Sequence, residues 1–267
     1  MSDGNPFDLQ GRVAMVTGAG QGVGRGIAHL LAAQNAAVAV NDFFPERAAA
    51  VVAEIKSRGG SAAPMVCDVG DYGQVTESVA QIEQVLGPVS ILVNNAGNVG
   101  PGGYATEFPL FWKTEPKDWD KYLRVNLFGV MNCCRAVTPG MAERRYGRIV
   151  TIVSDAGRTT EARQADYCAA KAGAAGFMRG LAGDGGRFGI TANSISLATM
   201  EPSNMSPEQL GAFVASDEGK ARLSKYAIRR FGKPGDVAPL VLLLASDAGA
   251  WITGQTYPVN GGFSSAL

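Results

Sequence analysis

The apolar run Val13-Ala14-Met15-Val16-Thr17 passes directly into the glycine-rich segment Gly18-Ala19-Gly20-Gln21-Gly22-Val23-Gly24. A short apolar run is typical of a buried strand, and a helix is expected from Arg25 onward. Glycine lets the backbone turn sharply and approach a ligand closely, and the start of a helix offers unpaired N–H groups and a positive dipole end. A glycine cluster between a strand and a helix therefore predicts a site for the phosphates of a dinucleotide.

Asp42 lies at the end of the second apolar run, eighteen residues after Gly24. A carboxylate there can accept hydrogen bonds from the hydroxyls of an adenosine ribose, and its charge repels a 2′-phosphate. Phe43, Phe44 and Pro45 follow, so no basic residue comes directly after it. We therefore expect NAD rather than NADP. The alternative is that Asp42 is an ordinary turn residue.

Short apolar runs alternate with longer segments of helical spacing along the chain. The expected strands cover 13–17, 37–41, 64–67, 91–94, 149–154, 191–196 and 255–259, and helical spacing is clear at 45–58, 72–86 and 119–137. Strands that alternate with helices form βαβ units and hence a parallel sheet. We predict a single α/β domain over residues 1–267, a doubly wound parallel sheet of about seven strands with helices on both faces.

Two irregular stretches, 98–116 and about 197–229, interrupt this alternation. Long segments of this kind in a compact domain are usually binding loops or lids. Their aromatic and apolar residues are expected either to line a substrate pocket, with 197–229 as its lid, or to pack at a subunit interface.

The composition argues against several classes of protein. Lysine plus arginine number 24 and aspartate plus glutamate number 24, so the formal net charge is zero and no nucleic-acid partner is expected. His29 is the single histidine, and Cys67, Cys133, Cys134 and Cys168 lack C-x-x-C spacing, so no metal site is expected. Free cysteines, an N-terminus unlike a signal peptide and the absence of an apolar stretch of roughly 20 residues predict a cytoplasmic protein with no membrane partner.

A second group of polar residues suggests proton chemistry. Tyr167 and Lys171 are four residues apart, a spacing that puts both side chains on one face of a helix. A nearby lysine cation favours the phenolate and lowers the pKa of a tyrosine from its ordinary value near 10. Ser154 ends an expected strand at the sheet edge where ligands bind, so its hydroxyl can hold a substrate oxygen while Tyr167 moves a proton.

These motifs, in their order and spacing, resemble those of the short-chain dehydrogenase/reductase family. The resemblance covers roughly residues 9–262 and rests on Thr17-Gly18-x-x-x-Gly22-x-Gly24, Asn94-Asn95-Ala96-Gly97, Asn126, Ser154 and Tyr167-x-x-x-Lys171. Cys67-Asp68-Val69 resembles the family's adenine-contacting turn, and the residues from 253 to 262 resemble its C-terminal strand. The resemblance implies a Rossmann-type fold and a homotetramer.

The resemblance also implies a role for each matching residue. Tyr167 would be the general acid–base, and Lys171 would bind the nicotinamide ribose and lower the pKa of the phenol. Ser154 would orient the substrate oxygen. Asn126 would hold a water in a proton relay, or instead simply cap or bridge strands. The expected cofactor-binding residues are Gly18, Gln21, Gly22, Val23, Gly24, Asp42, Phe43, Asp68, Val69, Asn95, Ala96, Gly97, Tyr167, Lys171 and Met200.

The chain departs from the family pattern after the sixth expected strand. Leu197-Ala198 stands where the family usually has Pro-Gly, and Pro202 stands where it usually has threonine. Thr199 is a candidate to supply the missing hydroxyl. These changes affect the expected nicotinamide pose and leave Ser154, Tyr167 and Lys171 in place.

The sequence thus predicts an NAD-dependent enzyme, a short-chain alcohol dehydrogenase or ketone reductase that interconverts a secondary alcohol and a ketone by hydride transfer. The expected partner is the small alcohol or ketone substrate. One alternative is an NADPH-dependent ketone or acyl-thioester reductase. Another is a dinucleotide-binding protein with little catalysis.

Overall fold

The computed structural model describes residues 5–97, 109–202 and 205–265. Their strands form one fully parallel seven-stranded sheet in the order β3-β2-β1-β4-β5-β6-β7. The bounds are β1 (Val13–Val16), β2 (Ala37–Asp42), β3 (Ser61–Val66), β4 (Val89–Asn94), β5 (Gly147–Ser154), β6 (Ile190–Leu197) and β7 (Thr256–Val259). The predicted doubly wound fold is confirmed.

Helices connect the strands and cover both faces of the sheet. They are α1 (Gly22–Ala33), α2 (Pro45–Ser57), α3 (Tyr72–Leu86), α4 (Pro116–Leu123), α5 (Gly129–Arg144), α6 (Ala165–Gly185), α7 (Pro207–Ala215), α8 (Asp217–Leu223) and α9 (Pro234–Ala245). Several begin with a residue suited to that position: Pro45 and Pro234 fix a helical φ at the first turn, and the Asp71 carboxylate accepts from the Gln74 N–H at the start of α3. In the described ranges, no helix is long and apolar enough to cross a membrane.

Two apolar layers hold the helices to the sheet. One fills the space between the sheet and α1, α2 and α9, and the other lies beneath α3, α5 and α6. Successive residues of β1 alternate between them: Ala14 and Val16 belong to the first layer, Val13 and Met15 to the second. This two-residue period explains why the buried strands have continuous apolar sequences, because both faces are covered.

The predicted helical segment at 119–137 is helical in the structure, but it is not one regular α-helix. The chain instead forms α4, a π-helical turn at Arg124–Phe128 and then α5, which continues to Arg144. Asn126 donates its side-chain Nδ2–H to the Tyr122 carbonyl at 2.9 Å, which competes with the regular backbone bond and widens this turn. Apolar spacing alone gives no sign of such a turn.

The two predicted irregular stretches have different outcomes. Residues 98–108 of the first lie outside the described residues, as do residues 203–204 of the second. The second stretch is partly helical, since it holds α7 and α8. The hydroxyls of Ser206 and Ser216 accept from the N–H groups of Gln209 and Gly219 and so cap these helices.

A matched pair of substitutions tests this packing. Val93 in β4 is fully buried, whereas Val85 on α3 is 69% exposed. Val93→Ala is expected to lower the free energy of unfolding by about 2 kcal/mol, because it removes two buried methyl groups and leaves a cavity. Val85→Ala is expected to be neutral or slightly stabilising, since alanine is the better helix former. Urea unfolding of both variants checks this; equal losses would contradict the described burial.

Candidate active site

The predicted site residues lie together at the carboxyl ends of the strands. The strand order reverses at β1, because β2 and β3 lie on one side of it and β4 to β7 lie on the other. In doubly wound sheets ligands bind in the crevice at this switch point, beyond the carboxyl ends of the strands. The glycine loop follows β1, Asp42 ends β2, Asn95 follows β4 and Ser154 ends β5.

Three glycines of the loop, Gly18, Gly20 and Gly24, leave no space for a Cβ, and Gly18 and Gly22 have positive φ. Gly18 and Gly22 have φ values of +58° and +54°, which other residues adopt only under strain. A Cβ at Gly18 would lie 2.9 Å from the Cα of Ala96, and one at Gly24 would lie 2.4 Å from the Gly18 carbonyl oxygen. In the described structure the side chain of Gln21, the N-cap residue of α1, does not bond the first N–H groups of that helix. The residues present therefore fit the phosphates of a dinucleotide.

Asn95 ties the segment after β4 to the glycine loop. Its Nδ2 donates to the carbonyl oxygens of Thr17 and Gly18 at 2.9 and 3.0 Å. The Thr17 hydroxyl oxygen accepts from the backbone N–H groups of Asn95 and Ala96, both at 2.9 Å. These bonds fix residues 95–97 against the predicted phosphate site, while Val23 packs into the core beneath α1.

Asp42 faces the glycine loop. Its Oδ2 accepts from the Gly20 N–H at 3.1 Å and its Oδ1 from the Phe44 N–H at 3.0 Å, and the residue is 6% exposed. Phe43 is half-exposed, with its ring edge-on to that of Phe44. The carboxylate therefore lies beside the glycine loop.

Arg47 is a basic residue that sequence reasoning missed at this place. A Cβ at Gly20 would lie 2.5 Å from the Cβ of Arg47 and 2.5 Å from the Oδ2 of Asp42. The Arg47 guanidinium lies 4.3 Å from the centre of the Phe44 ring. Arg47 could have been found from its position in the first turn of α2, the helix that follows β2. That turn folds back over the glycine loop.

The predicted adenine-contacting turn, Cys67-Asp68-Val69, is held by side chains from α5 and from the π-helical turn that precedes α5. Asp68 accepts from the Arg124 guanidinium at 2.7 Å through Oδ2 and from the Gly70 N–H at 2.8 Å through Oδ1. The Val69 carbonyl accepts from Nδ2 of Asn132 at 2.9 Å. Arg124, which the sequence did not single out, thus links this turn to the segment that carries Asn126.

Two of the predicted catalytic residues, Asn126 and Lys171, lie against Gly97, and a third, Tyr167, lies near Lys171. A Cβ there would lie 2.9 Å from Oδ1 of Asn126 and 3.1 Å from Nζ of Lys171, so these two polar atoms converge on one point and only glycine leaves them room. Nζ of Lys171 also lies 5.9 Å from the centre of the Tyr167 ring. The structure therefore brings Asn126, Tyr167 and Lys171 together.

Ser154 and Tyr167 are positioned by close packing around α6. The hydroxyl oxygen of Ser154 accepts from the Ala156 N–H at 3.2 Å, so its O–H hydrogen can still be donated. A Cβ at Gly157 would lie 2.9 Å from the backbone nitrogen of Ala172, so the turn after β5 lies against α6. The Tyr167 ring packs edge-on against that of Tyr122, with centroids 5.7 Å apart.

Lys171 is the most strongly perturbed of these groups. It is 6% exposed, and its Nζ donates to the Ile152 carbonyl at 3.2 Å. Burial disfavours the charged form and lowers the pKa of Lys171 to about 8. A lysine with such a pKa holds or releases a proton near physiological pH, which suits a group beside an acid–base tyrosine.

The segment after β6 turns towards β7. Met200 pairs with Gly232 as an isolated bridge and lines, with Ala198, Thr199 and Tyr226, a pocket of about 330 Å³. The Thr199 N–H donates to the Tyr226 hydroxyl oxygen at 3.3 Å. The cofactor contact expected of Met200 stays a prediction. The described residues hold no group of three or more His, Cys, Asp or Glu side chains placed to bind a metal ion.

Comparison with known proteins defines the class. The sequence model of the short chain dehydrogenase family matches residues 12–210. The chain therefore belongs to the short-chain dehydrogenase/reductase family of oxidoreductases, and the resemblance seen in the sequence is confirmed.

Individual relatives narrow the reaction within this family only in part. The chain is 36% identical over 250 residues to the 3-oxoacyl-(acyl-carrier-protein) reductase FabG of Staphylococcus epidermidis, covering 93% of this chain and 97% of that protein. It is 36% identical over 251 residues to the acetoacetyl-CoA reductase of Shinella zoogloeoides, covering 94% and 98%. A gluconate 5-dehydrogenase from Burkholderia cenocepacia, solved with NADP and tartrate, aligns with a TM-score of 0.86 at 32% identity, covering 98% of each chain.

Lys171 provides a test of the site through stability. The pKa of Lys171 is lower in the folded state than in the unfolded state. Burial of the charged lysine therefore lowers the free energy of unfolding by its full amount below about pH 8, and this loss shrinks as the pH rises towards 10.5. Lys171→Met is therefore expected to be more stable at pH 7 by about 1–3 kcal/mol, with the advantage shrinking above pH 8. Urea unfolding at pH 7 and pH 9.5 measures this, with the exposed Lys117→Met as control. A Lys171→Met variant that is less stable at pH 7 would contradict the described burial.

Proposed function

We propose that the protein is an NAD-dependent oxidoreductase that interconverts a secondary alcohol and a ketone. The observation that carries this proposal is the convergence of the Lys171 Nζ and the Asn126 Oδ1 on Gly97, with the Tyr167 ring beside them. This places a buried cation next to a phenol at the sheet edge that also holds the glycine loop. Proton transfer and dinucleotide binding would then occur side by side.

The residues divide the proposed chemistry among them. A nicotinamide cofactor held by the glycine loop and residues 95–97 would supply the hydride acceptor for alcohol oxidation and the hydride donor for ketone reduction. In the oxidation direction the Ser154 hydroxyl holds the substrate oxygen and the Tyr167 phenolate takes the hydroxyl proton. The electron pair left on that oxygen forms the carbonyl as the carbon loses its hydride to the cofactor. Lys171 stabilises the phenolate and, with Asn126, passes the proton on towards water. Reduction uses the same groups in reverse, with the Tyr167 phenol as the acid.

The cofactor preference rests on Asp42. Its buried carboxylate lies against the Gly20 N–H, where its charge would repel a 2′-phosphate and its oxygens can accept from ribose hydroxyls. We therefore infer NAD rather than NADP. We further propose a cytoplasmic homotetramer that acts on a small molecule and binds neither nucleic acid nor a membrane.

An NADPH-dependent ketone or acyl-thioester reductase is the second candidate function. Arg47 supports it, because its Cβ lies against Gly20 beside the Asp42 carboxylate, and its guanidinium, over the Phe44 ring, could meet a 2′-phosphate. The names of the FabG and acetoacetyl-CoA reductase relatives point to the same substrate class. The sequence also left open a dinucleotide-binding protein with little catalysis. Turnover of any secondary alcohol or ketone would exclude that alternative.

Tyr167→Phe tests the acid–base role. Removing the phenolic oxygen while keeping the ring is expected to lower kcat by about 10³-fold, because general acid–base catalysis contributes an effect of that order. Binding of NAD, measured by fluorescence titration, is expected to change little. NADH formation at 340 nm across cyclic, steroidal and hydroxyacyl-CoA alcohols measures turnover. Full activity of the variant would contradict the proposed mechanism.

Asp42 and Arg47 can be separated by cofactor kinetics. We expect kcat/KM for NAD to exceed that for NADP by about tenfold or more in wild type, a difference of about 1.4 kcal/mol. Asp42→Asn is expected to narrow this ratio because it removes the charge and keeps the shape. Adding Arg47→Ala to Asp42→Asn is expected to lower kcat/KM for NADP again, because it removes the cation that could meet the 2′-phosphate. A wild-type preference for NADPH would overturn the NAD assignment in favour of the second candidate.

A further inference from the structure

Asp155, the residue directly after Ser154, carries a buried carboxylate that the proposed proton chemistry does not use. It is 1% exposed. Its Oδ2 accepts from Nδ2 of Asn260 at 2.7 Å and from the hydroxyl of Ser264 at 2.8 Å. Its Oδ1 accepts from the hydroxyl of Ser196, and Nε of Arg158 lies 3.7 Å away.

These partners account for the burial of the charge. A buried carboxylate is costly unless hydrogen bonds and an opposite charge compensate it, and here three donors and one guanidinium do so. The donors come from distant parts of the chain, because Ser196 lies in β6 and Asn260 and Ser264 follow β7. Their bonds to one carboxylate therefore join three segments at the end of β5.

The segment after β7, residues 260–264, is built to reach this carboxylate. Gly261 and Gly262 have φ values of +61° and +77° and form a tight turn, with the Gly262 N–H donating to Oδ1 of Asn260 at 3.0 Å. Asn260 also donates to the Ser264 carbonyl at 3.0 Å. The turn thus presents the Asn260 amide and the Ser264 hydroxyl to Asp155 together.

The same segment also holds the base of the expected lid. The Gly261 carbonyl accepts from the Ile228 N–H at 2.8 Å, and the Phe263 ring lies 5.2 Å from that of Tyr226. The Tyr226 hydroxyl oxygen in turn accepts from the Thr199 N–H. Residues 260–264 therefore connect the Ser154 end of β5 with the segment that follows β6.

We propose that Asp155 is a positioning residue for Ser154, and that residues 260–264 act with it as a clamp on the substrate end of the site. Asp155 itself touches neither substrate nor cofactor in the proposed site. It fixes the backbone on which Ser154 is carried, and through Ser196 it fixes the end of β6, where Leu197-Ala198 provides no proline to stiffen the chain. The inference rests on the proposed function, since it requires Ser154 to hold the substrate oxygen.

Ser264→Ala is the main test, with the neighbouring exposed Ser265→Ala as its matched control. Loss of one hydrogen bond to a charged group is expected to lower kcat/KM for the alcohol by about tenfold in Ser264→Ala, and by more in Asp155→Asn. The dissociation constant for NAD should stay close to wild type, and the unfolding midpoint of Ser264→Ala should fall by no more than the loss of one hydrogen bond to a buried charge explains. Ser265→Ala should match wild type throughout.

A double-mutant cycle with Ser154→Ala separates positioning from general damage. If Asp155 and Ser264 act through Ser154, then adding Ser264→Ala to Ser154→Ala should cause little further loss of kcat. Multiplicative losses, or a Ser264→Ala variant as active as Ser265→Ala, would overturn the clamp. A fully active Ser154→Ala would instead overturn the proposed catalytic site. If Asp155→Asn does not fold, the Ser264 variants still decide the question.

Discussion

The buried ammonium of Lys171 constrains the arrangement of the whole site. Its Nζ is held by the Ile152 carbonyl of β5 and points at Gly97, where no side chain could be accommodated. This contact fixes α6 against β5, and α6 carries Tyr167. Burial costs free energy and lowers the pKa of Lys171 to about 8. A cost of this kind at a sheet edge that binds ligands is typical of a functional site rather than of a core optimised for stability.

Rigid loops supply the rest of the site. The glycine loop, the segment 95–97 and the turn after β5 are each fixed by backbone contacts that exclude a Cβ or by side chains that bond the backbone. Residues held in this way can present N–H groups and hydroxyls in one geometry before a ligand arrives, which reduces the ordering cost of binding. Asp155 extends the same arrangement to residues 260–264, at the opposite end of the crevice from Asp42.

The fold could be predicted because β-strands buried on both faces have a distinct apolar signature. Part of the candidate site could be predicted as well, because Tyr167 and Lys171 lie only four residues apart in the sequence. Prediction failed where contacts between distant segments decide the structure. Arg47 and Asp155 gain their roles from neighbours far along the chain. Composition and spacing carry no record of those neighbours. The π-helical turn is local, with its bond from Asn126 to the Tyr122 carbonyl, and has no apolar signature that would predict it.

The most direct measurement is a titration of tyrosinate absorbance at 295 nm with NAD bound, comparing wild type with Tyr167→Phe. Burial raises the pKa values of Tyr122 and Tyr146, so neither should ionise early. One tyrosine of wild type is expected to ionise well below its ordinary pKa near 10, and Tyr167→Phe should lack this transition. Identical titration curves for the two proteins, with no early transition, would contradict the claim that Lys171 activates Tyr167.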